Sequence, residues 1–517
     1  MPIFQLASQI TLDYRGSALA RAVADFTGDA GLEILFGGPK YTNAFVNEAQ
    51  SFKLLAISAG GQISDASTAL PASASAVHPR ELIAADLNGD GKADAFSFNH
   101  GFDNPAFPGE QDDLFLSSGG ALTAGATPNL SDFAHSGDVG DIDGDGDLDL
   151  LVGNFGDLGD SHTGPYFLLN SGQGVFTKAA NGLSGAALPQ LTSSKLVDVD
   201  RDGDLDFVGG NHGAAASAGW VWLNDGRGNF ANDPSRALPA GLFDRAINTE
   251  IAAFDFDGDS DQDLILGQTR QEPFYSGSGL QFLANDGTGR FTDATAQRMP
   301  GQDTSLAWLD RLYVVDMNGD GHKDLVAARG AGAPAIALND GAGRFVYVGA
   351  SALGVSGGEW TPADFDGDGR VDLISFSRDL PTDTPLTVSV WRNTGFVSTA
   401  VSDAAETALG TAGRDVIEAG GGNDTVLGGA GEDYLRGGDG DDRIAGGDAF
   451  DDTHGNAGND TVTGGLADDW VVGGKDNDLL FGDAGGDLVY GNLGNDTCEG
   501  GDGNDIVRGG QDNDSLP

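Results

Sequence analysis

From Gly410 to the last residue an aspartate returns every nine positions, twelve times without a break: Asp415, Asp424, Asp433, Asp442, Asp451, Asp460, Asp469, Asp478, Asp487, Asp496, Asp505 and Asp514. Two residues after each stands Ile417, Val426, Leu435, Ile444, Thr453, Val462, Val471, Leu480, Val489, Cys498, Val507 or Leu516, so every position but Thr453 can be buried. A fixed nonapeptide period is the mark of a coiled parallel β-structure that holds calcium between its turns. Six residues of each unit make a glycine-rich turn and three a short strand, so two units form one coil and twelve form about six. Without metal such a segment has too little apolar surface to offset chain entropy, and its carboxylates repel one another. With metal, binding energy becomes folding energy. Cytosolic calcium would leave it unfolded and extracellular calcium would fold it. The unit 446–454, with Ala449 in a glycine place and Thr453 in the core place, predicts a weak site. The expected ion ligands are therefore Asp415, Asp424, Asp433, Asp442, Asp460, Asp469, Asp478, Asp487, Asp496 and Asp505.

At 517 residues the chain is too long for one ordinary core, and two or more domains are expected. Its net charge of −52 excludes nucleic acid as a partner, because phosphate would be repelled, and makes cations the natural counterpart. Residues 410–517 hold 24 acidic and 5 basic side chains, a net of −19, which leaves −33 upstream. The one cysteine, Cys498, cannot make an internal disulfide. No run of 18 apolar residues predicts a membrane-spanning helix, and the N-terminal sequence does not read as a secretory signal.

Seven segments upstream share the frame D-x-[DN]-x-D-G-x-x-D followed by an apolar run, beginning at Asp25, Asp86, Asp141, Asp198, Asp255, Asp316 and Asp364. They are spaced 61, 55, 57, 57, 61 and 48 residues apart. Each interval also holds two more strand-like runs joined by a turn, most clearly LLNSGQGVF, WLNDGRGNF, LANDGTGRF and ALNDGAGRF, with Phe176, Phe230, Phe291 and Phe345 just after the turn. Four strands per interval, arranged radially, predict an all-β fold: a seven-bladed β-propeller over 1–402, a linker at 403–409 and a parallel β-roll over 410–517.

The acidic frames suit a hard cation. Calcium takes six to eight oxygens, and carboxylates at alternate positions of a tight turn converge on one point. The expected ligands are Asp25, Asp29 and Glu33 in loop one, Asp86, Asn88, Asp90 and Asp94 in loop two, and Asp141, Asp143, Asp145 and Asp149 in loop three. Loops four and five would use Asp198, Asp200, Asp202 and Asp206, then Asp255, Asp257, Asp259 and Asp263. Loops six and seven would use Asp316, Asn318, Asp320 and Asp324, then Asp364, Asp366, Asp368 and Asp372. Gly146 stands where the turn needs positive φ. Loop one is the poorest match, with Thr27 and Ala30 in the frame, and loop five has Ser260 in the glycine place.

The seven loops resemble the FG-GAP or VCBS repeats of integrin-α-type propellers, and the nonapeptides resemble the RTX, or hemolysin-type, calcium-binding repeats. Together the two resemblances cover nearly the whole chain. They imply a β-roll, extracellular location and export through a type I secretion channel. Substrates of such channels carry a further C-terminal signal segment, which is not seen before Pro517.

With the acidic loops on one rim, the remaining loops gather on the opposite face. His78, His100, His135, His162, His212 and Asn154 fall there, and Trp308 and Trp360 precede first strands, where they could stack on sugar rings. The competing reading has these residues satisfying loop backbone and packing between blades. On the roll, Trp470, Val472, Leu488 and Tyr490 would form an apolar patch for the propeller or another molecule. Gly354-Val355-Ser356-Gly357-Gly358 matches G-x-S-x-G in form, but it lies in a connection between blades rather than at a strand-to-helix elbow. The function expected is calcium-dependent adhesion or recognition of a glycan or surface protein, with an extracellular polysaccharide- or phosphoester-cleaving enzyme or a structural surface-layer component as alternatives.

Overall fold

The computed structural model describes the chain except residues 1–2, 44–45, 103–107, 132, 156–163, 181–182, 185–189, 213–217, 274, 300–301, 303, 305–308, 319–320, 330–333, 340–342, 344, 349–352, 356–357, 378–384, 394–406 and 411–414. Asp320, His162, Trp308, Ser356 and most of the expected linker lie outside the described residues.

Seven antiparallel sheets form a seven-bladed propeller. The innermost strands are Ala20–Ala24, Pro79–Ala85, Ala134–Gly140, Leu191–Val197, Ala246–Phe254, Leu309–Val315 and Glu359–Ala363. Each runs into an acidic loop and returns as a second strand. Second strands such as Asp94–Asn99, Asp149–Asn154 and Asp206–Asn211 are buried at every residue because a neighbouring blade covers each face. The N-terminal strand Phe4–Leu12 pairs antiparallel with Leu386–Asn393 and is the outer strand of the seventh blade, so the two ends of the propeller close one sheet. The fourth blade adds a short strand, Leu183–Ser184, parallel to Phe230–Asn232.

Every innermost strand carries charge: Arg21, Glu81, Asp138, Lys195, Glu250, Arg311 and Glu359, with Arg80 beside Glu81 and Asp310 beside Arg311. Arg21 Nη1 meets Glu359 Oε2 at 3.1 Å, Lys195 Nζ meets Asp138 Oδ2 at 3.0 Å, and Arg311 pairs with Glu250. Arg311 also donates to the Arg80 carbonyl, joining the sixth blade to the second. Burial pushes the Glu81 carboxyl up to about 7, against the pull of Arg311. Ion pairs between blades thus occupy the axis.

The C-terminal unit is a parallel β-solenoid of two six-stranded sheets. Its first strand, Thr407–Leu409, precedes Gly410 and pairs parallel with Thr425–Ala430, so the solenoid begins inside the expected linker. Ala408 stands nine residues before Ile417 in the buried column. That column runs in single file from Ala408 through Ile417, Val426, Leu435 and Ile444 to Cys498. Thr453 is fully buried within it, its hydroxyl donating to the Trp470 carbonyl at 3.3 Å.

Val416 and Tyr434, from the first coils, share one core with Ile3, Phe4, Trp360 and Leu373 of the propeller. This corrects the docking expectation: the propeller packs against the start of the solenoid, while Trp470 and Leu488 remain 41% and 36% exposed and Val472 is buried. The outward positions of the first coils were the apolar ones the propeller covers, and Val416 and Tyr434 occupy them.

Candidate calcium centres

Each propeller loop is tied down before any ion is considered. Its second residue is an apolar anchor, buried in all seven: Phe26, Leu87, Ile142, Val199, Phe256, Met317 and Phe365. The backbone N–H of that anchor donates to the closing acid, as from Ile142 to Asp149 Oδ2 at 3.0 Å and from Val199 to Asp206 Oδ2 at 3.0 Å. In loops two to seven the other oxygen of the closing acid takes a backbone N–H from the third strand, Asn170 for Asp149 at 2.7 Å and Asn224 for Asp206 at 2.9 Å. Burial raises the carboxyls of Asp149 and Asp372 to about 6 and those of Asp206 and Asp263 to about 7. The leading aspartate folds the turn. Asp141 accepts from Gly144 and Gly146, at 2.8 and 3.0 Å.

In five of the loops three acids bring ligand oxygens within 4.8 Å of one another: Asp25, Asp29 and Glu33; Asp141, Asp143 and Asp149; Asp198, Asp200 and Asp206; Asp255, Asp257 and Asp259; and Asp364, Asp366 and Asp372. Asp145, Asp202 and Asp368 belong to the same turns. Loop one, the poorest by sequence, is among the five. Loops two and six do not form such a trio among the described residues. In loop two Asp86 and Asp94 are taken up by backbone donors, with Asn88 and Asp90 between them. In loop six Asp316 accepts from Gly321 and Asp324 from Met317, with Asn318 in the same turn and Asp320 outside the described residues. Position six has positive φ throughout, 92° at Gly146 and also 68° at Ala30 and 73° at Ser260, where a side chain is held in a conformation that costs free energy.

A recurrent asparagine escaped the sequence reading. Asn170, Asn224 and Asn285 each send the side-chain amide to the second-residue carbonyl of the preceding loop: Leu87 at 2.8 Å, Ile142 at 2.8 Å and Val199 at 2.8 Å. Asn393 does the same to Met317 at 3.1 Å. The signal was present in the N-[SD]-G hairpins, read there only as turn formers. The second, third, fourth and sixth loops are therefore latched to the next blade. Asn224→Ala should lower propeller stability by about 1–3 kcal/mol, because the Ile142 and Leu205 carbonyls lose their donor, and guanidinium melts in saturating calcium would measure it. A change within error would show that the latch contributes nothing.

The solenoid solves the same problem differently. From Asp415 to Asp496, the backbone N–H of each register aspartate donates to Oδ1 of the aspartate 18 residues later, as from Asp460 to Asp478 at 2.9 Å and from Asp478 to Asp496 at 2.9 Å. Like charges thus stand in two columns spaced by one strand, roughly 4.8 Å. The other oxygen, Oδ2, is buried without a hydrogen-bond partner in seven successive register positions: Asp442, Asp451, Asp460, Asp469, Asp478, Asp487 and Asp496. A Cβ on Gly473 would come within 2.2 Å of Asp478 Oδ2, so glycine suits this place, which the unit of Asp424 fills with Ala419 instead. Asp415, Asp424 and Asp433 are buried in the same columns, and Asp505 accepts from the Asp487 N–H. Asp451 in the atypical unit is built like its neighbours, with Ala449 taking the positive φ of 74° that a glycine would supply.

On the opposite face, His78 and His100 are buried, and Asn154 accepts from the Phe133 N–H at 3.1 Å. Trp360 is fully buried in the inter-blade core. These four lie buried among packing and loop-backbone groups. His100 Nε2 and His135 Nε2 lie 2.9 Å apart, His135 stacks on Phe155 at 4.4 Å, and Phe155 meets the half-buried His212 edge-on at 4.9 Å. Burial holds His100, His135 and His212 below the ordinary imidazole range, and Arg80 adds to the effect at His100 and His135. A lowered folded value means stability is complete above about 6.5 and is lost as pH falls through the folded values. Urea midpoints in saturating calcium should fall between pH 7 and 5, less steeply for His135→Phe, and equal slopes would refute the cluster's role.

The FG-GAP-like repeat profile matches residues 141–209, 198–266, 255–327 and 316–375. The RTX calcium-binding nonapeptide repeat profile matches 402–435, 421–453, 428–462, 454–489, 463–498 and 481–516. No curated protein matches the chain in sequence. Among solved structures, the biofilm matrix protein Bap1 of V. cholerae is similar over 76% of this chain and 92% of that one, at 12% identity and a TM-score of 0.37. RTX repeats bind calcium, and the acidic groups of the propeller loops are placed to hold ions as well. The protein is a chain of FG-GAP-like repeats, forming a seven-bladed propeller, followed by RTX calcium-binding nonapeptide repeats that form a parallel β-solenoid.

Proposed function

We propose that the protein is an extracellular recognition or adhesion protein in which calcium folds the solenoid and braces the propeller, leaving the face opposite the acidic loops to bind a glycan or a cell-surface protein. The observation that carries this reading is the row of seven buried aspartates with an unpartnered oxygen, which a bound cation relieves. The calcium needed is extracellular in concentration, and export through a type I channel is the route that repeats of this kind imply. On the ligand face, Arg80, His135, Thr192, Thr249, Tyr275 and Arg311 line a small cavity at the axial mouth, where a polar ligand group would enter. In the loops and the solenoid, the ion ligands proposed are the acidic residues named above, with Asp451 added. A glycan array probed with the full chain, with and without chelator and with Arg80→Ala, tests the reading. Saturable binding that is lost in chelator supports it, whereas binding indifferent to calcium would sink it.

A further inference from the structure

Loops three and five carry the same number of acids, at equivalent positions, yet differ in what surrounds them. Loop three holds Asp141, Asp143, Asp145, Asp147 and Asp149; loop five holds Asp255, Asp257, Asp259, Asp261 and Asp263. In loop five Arg298 Nη2 meets Asp257 Oδ2 at 2.8 Å, from the turn that follows the fourth strand of the same blade. Arg201, itself the fourth residue of loop four, crosses to the next blade. It donates to the Asp259 carbonyl at 3.0 Å and lies 3.4 Å from Asp261 Oδ2. Loop four has one such partner, Arg236 Nη1 at 3.1 Å from Asp200 Oδ2. Loop three has no arginine or lysine paired to its acids among the described residues.

The pairings engage one oxygen and spare the other. Oδ1 of Asp200, of Asp257 and of Asp261 is buried without a hydrogen-bond partner, and Asp261 as a whole is 3% exposed. The arginines therefore hold these carboxylates in place while leaving an oxygen free for an ion. Arg236 and Arg298 occupy equivalent positions, six and seven residues after Phe230 and Phe291, each following an aspartate, Asp233 or Asp293, that caps its turn. The third blade has no arginine at the equivalent place after Phe176.

We infer that Arg201, Arg236 and Arg298 are built-in counter-ions and positioning residues that keep loops four and five ordered when calcium is withdrawn, whereas loop three depends on the ion for its order. The physical reason is the repulsion among five carboxylates on a nine-residue turn. A guanidinium at hydrogen-bond distance offsets part of it permanently, and a dissociable ion offsets it only when bound. The propeller would then lose order loop by loop as calcium falls, not all at once. This rests on the calcium reading of the propeller loops.

Amide hydrogen exchange of the full chain, compared in calcium and in chelator, tests the inference through peptides covering 141–149, 198–206 and 255–263. Exchange in 141–149 should rise by roughly tenfold or more in chelator, and in 255–263 by less than about threefold. In the Arg201→Gln, Arg298→Gln double variant, 255–263 should become as sensitive as 141–149, while 141–149 in calcium stays as in the parent and reports that the variant is folded. Equal sensitivity of the two loops in the parent chain overturns the inference, as does a folded double variant that behaves like the parent. If the variant does not fold, the parent comparison alone decides. If even 141–149 ignores the chelator, the calcium reading of the propeller loops is what fails.

Discussion

Chelation at pH 7.5 should unfold the solenoid from residue 407 onward, while the propeller keeps its sheets and loses order only in its acidic loops. The solenoid core is one side chain wide, and its two aspartate columns leave seven buried oxygens without donors. Each ion bound at a thousandfold excess over its dissociation constant stabilises the folded form by about 4 kcal/mol, so removal of several exceeds the stability of a small domain. Far-UV circular dichroism should lose part of its β signal, and limited proteolysis should confine early cuts to 407–516. A solenoid that stays protected in chelator at this pH would refute the prediction.

Acid should partly replace the ion. In the metal-free fold, burial first and the neighbouring aspartates second raise Asp442 to about 6, Asp460 and Asp469 to about 7, and Asp451 and Asp478 to about 8. A folded value above the unfolded one, about 3.9, means that the stability gained by protonation is complete below 3.9 and is lost as pH rises through 6 to 8. In chelator the solenoid should therefore gain structure on acidification from pH 8 to 4. In saturating calcium the slope should reverse, because protons then compete with the ion for the same oxygens. Slopes of the same sign in both conditions would contradict the prediction.

Arg21→Ala should destabilise the propeller by about 3–5 kcal/mol, the cost of leaving a buried charge without its partner. Both side chains of the Arg21–Glu359 pair are 1% exposed. Arg21 also donates to the Ala18 carbonyl at 2.6 Å and the Trp360 carbonyl at 3.4 Å, and Glu359 Oε2 accepts from the Ala18 N–H at 3.0 Å. These bonds join the first blade to the seventh, where the ring must close. Arg21→Met combined with Glu359→Leu should recover most of the loss, since replacing a buried pair with apolar side chains is often neutral or stabilising. Guanidinium denaturation in calcium, followed by tryptophan fluorescence, measures both variants. A single variant within about 1 kcal/mol of the parent would show that the pair does not hold the ring.

Periodicity determined the architecture. Nine-residue spacing with one apolar residue per unit admits a two-sheet coil and little else, and seven acidic frames each followed by an apolar strand define seven blades. The turn chemistry was equally legible, because positive φ at position six and alternating acids are local properties of a few consecutive residues. What tertiary structure alone decided concerns partners far apart in the chain. The Phe4–Leu12 strand finds Leu386–Asn393, Arg201 finds a loop 58 residues later, Asn224 latches a loop 82 residues earlier, and Tyr434 enters the propeller core. Nothing local marks such residues, because their roles come from which blade or coil lies beside them. Burial of His100, Asn154 and Trp360 was settled the same way: polar and aromatic side chains read alike in sequence whether they face a ligand or a neighbouring blade, and only close packing separates the two.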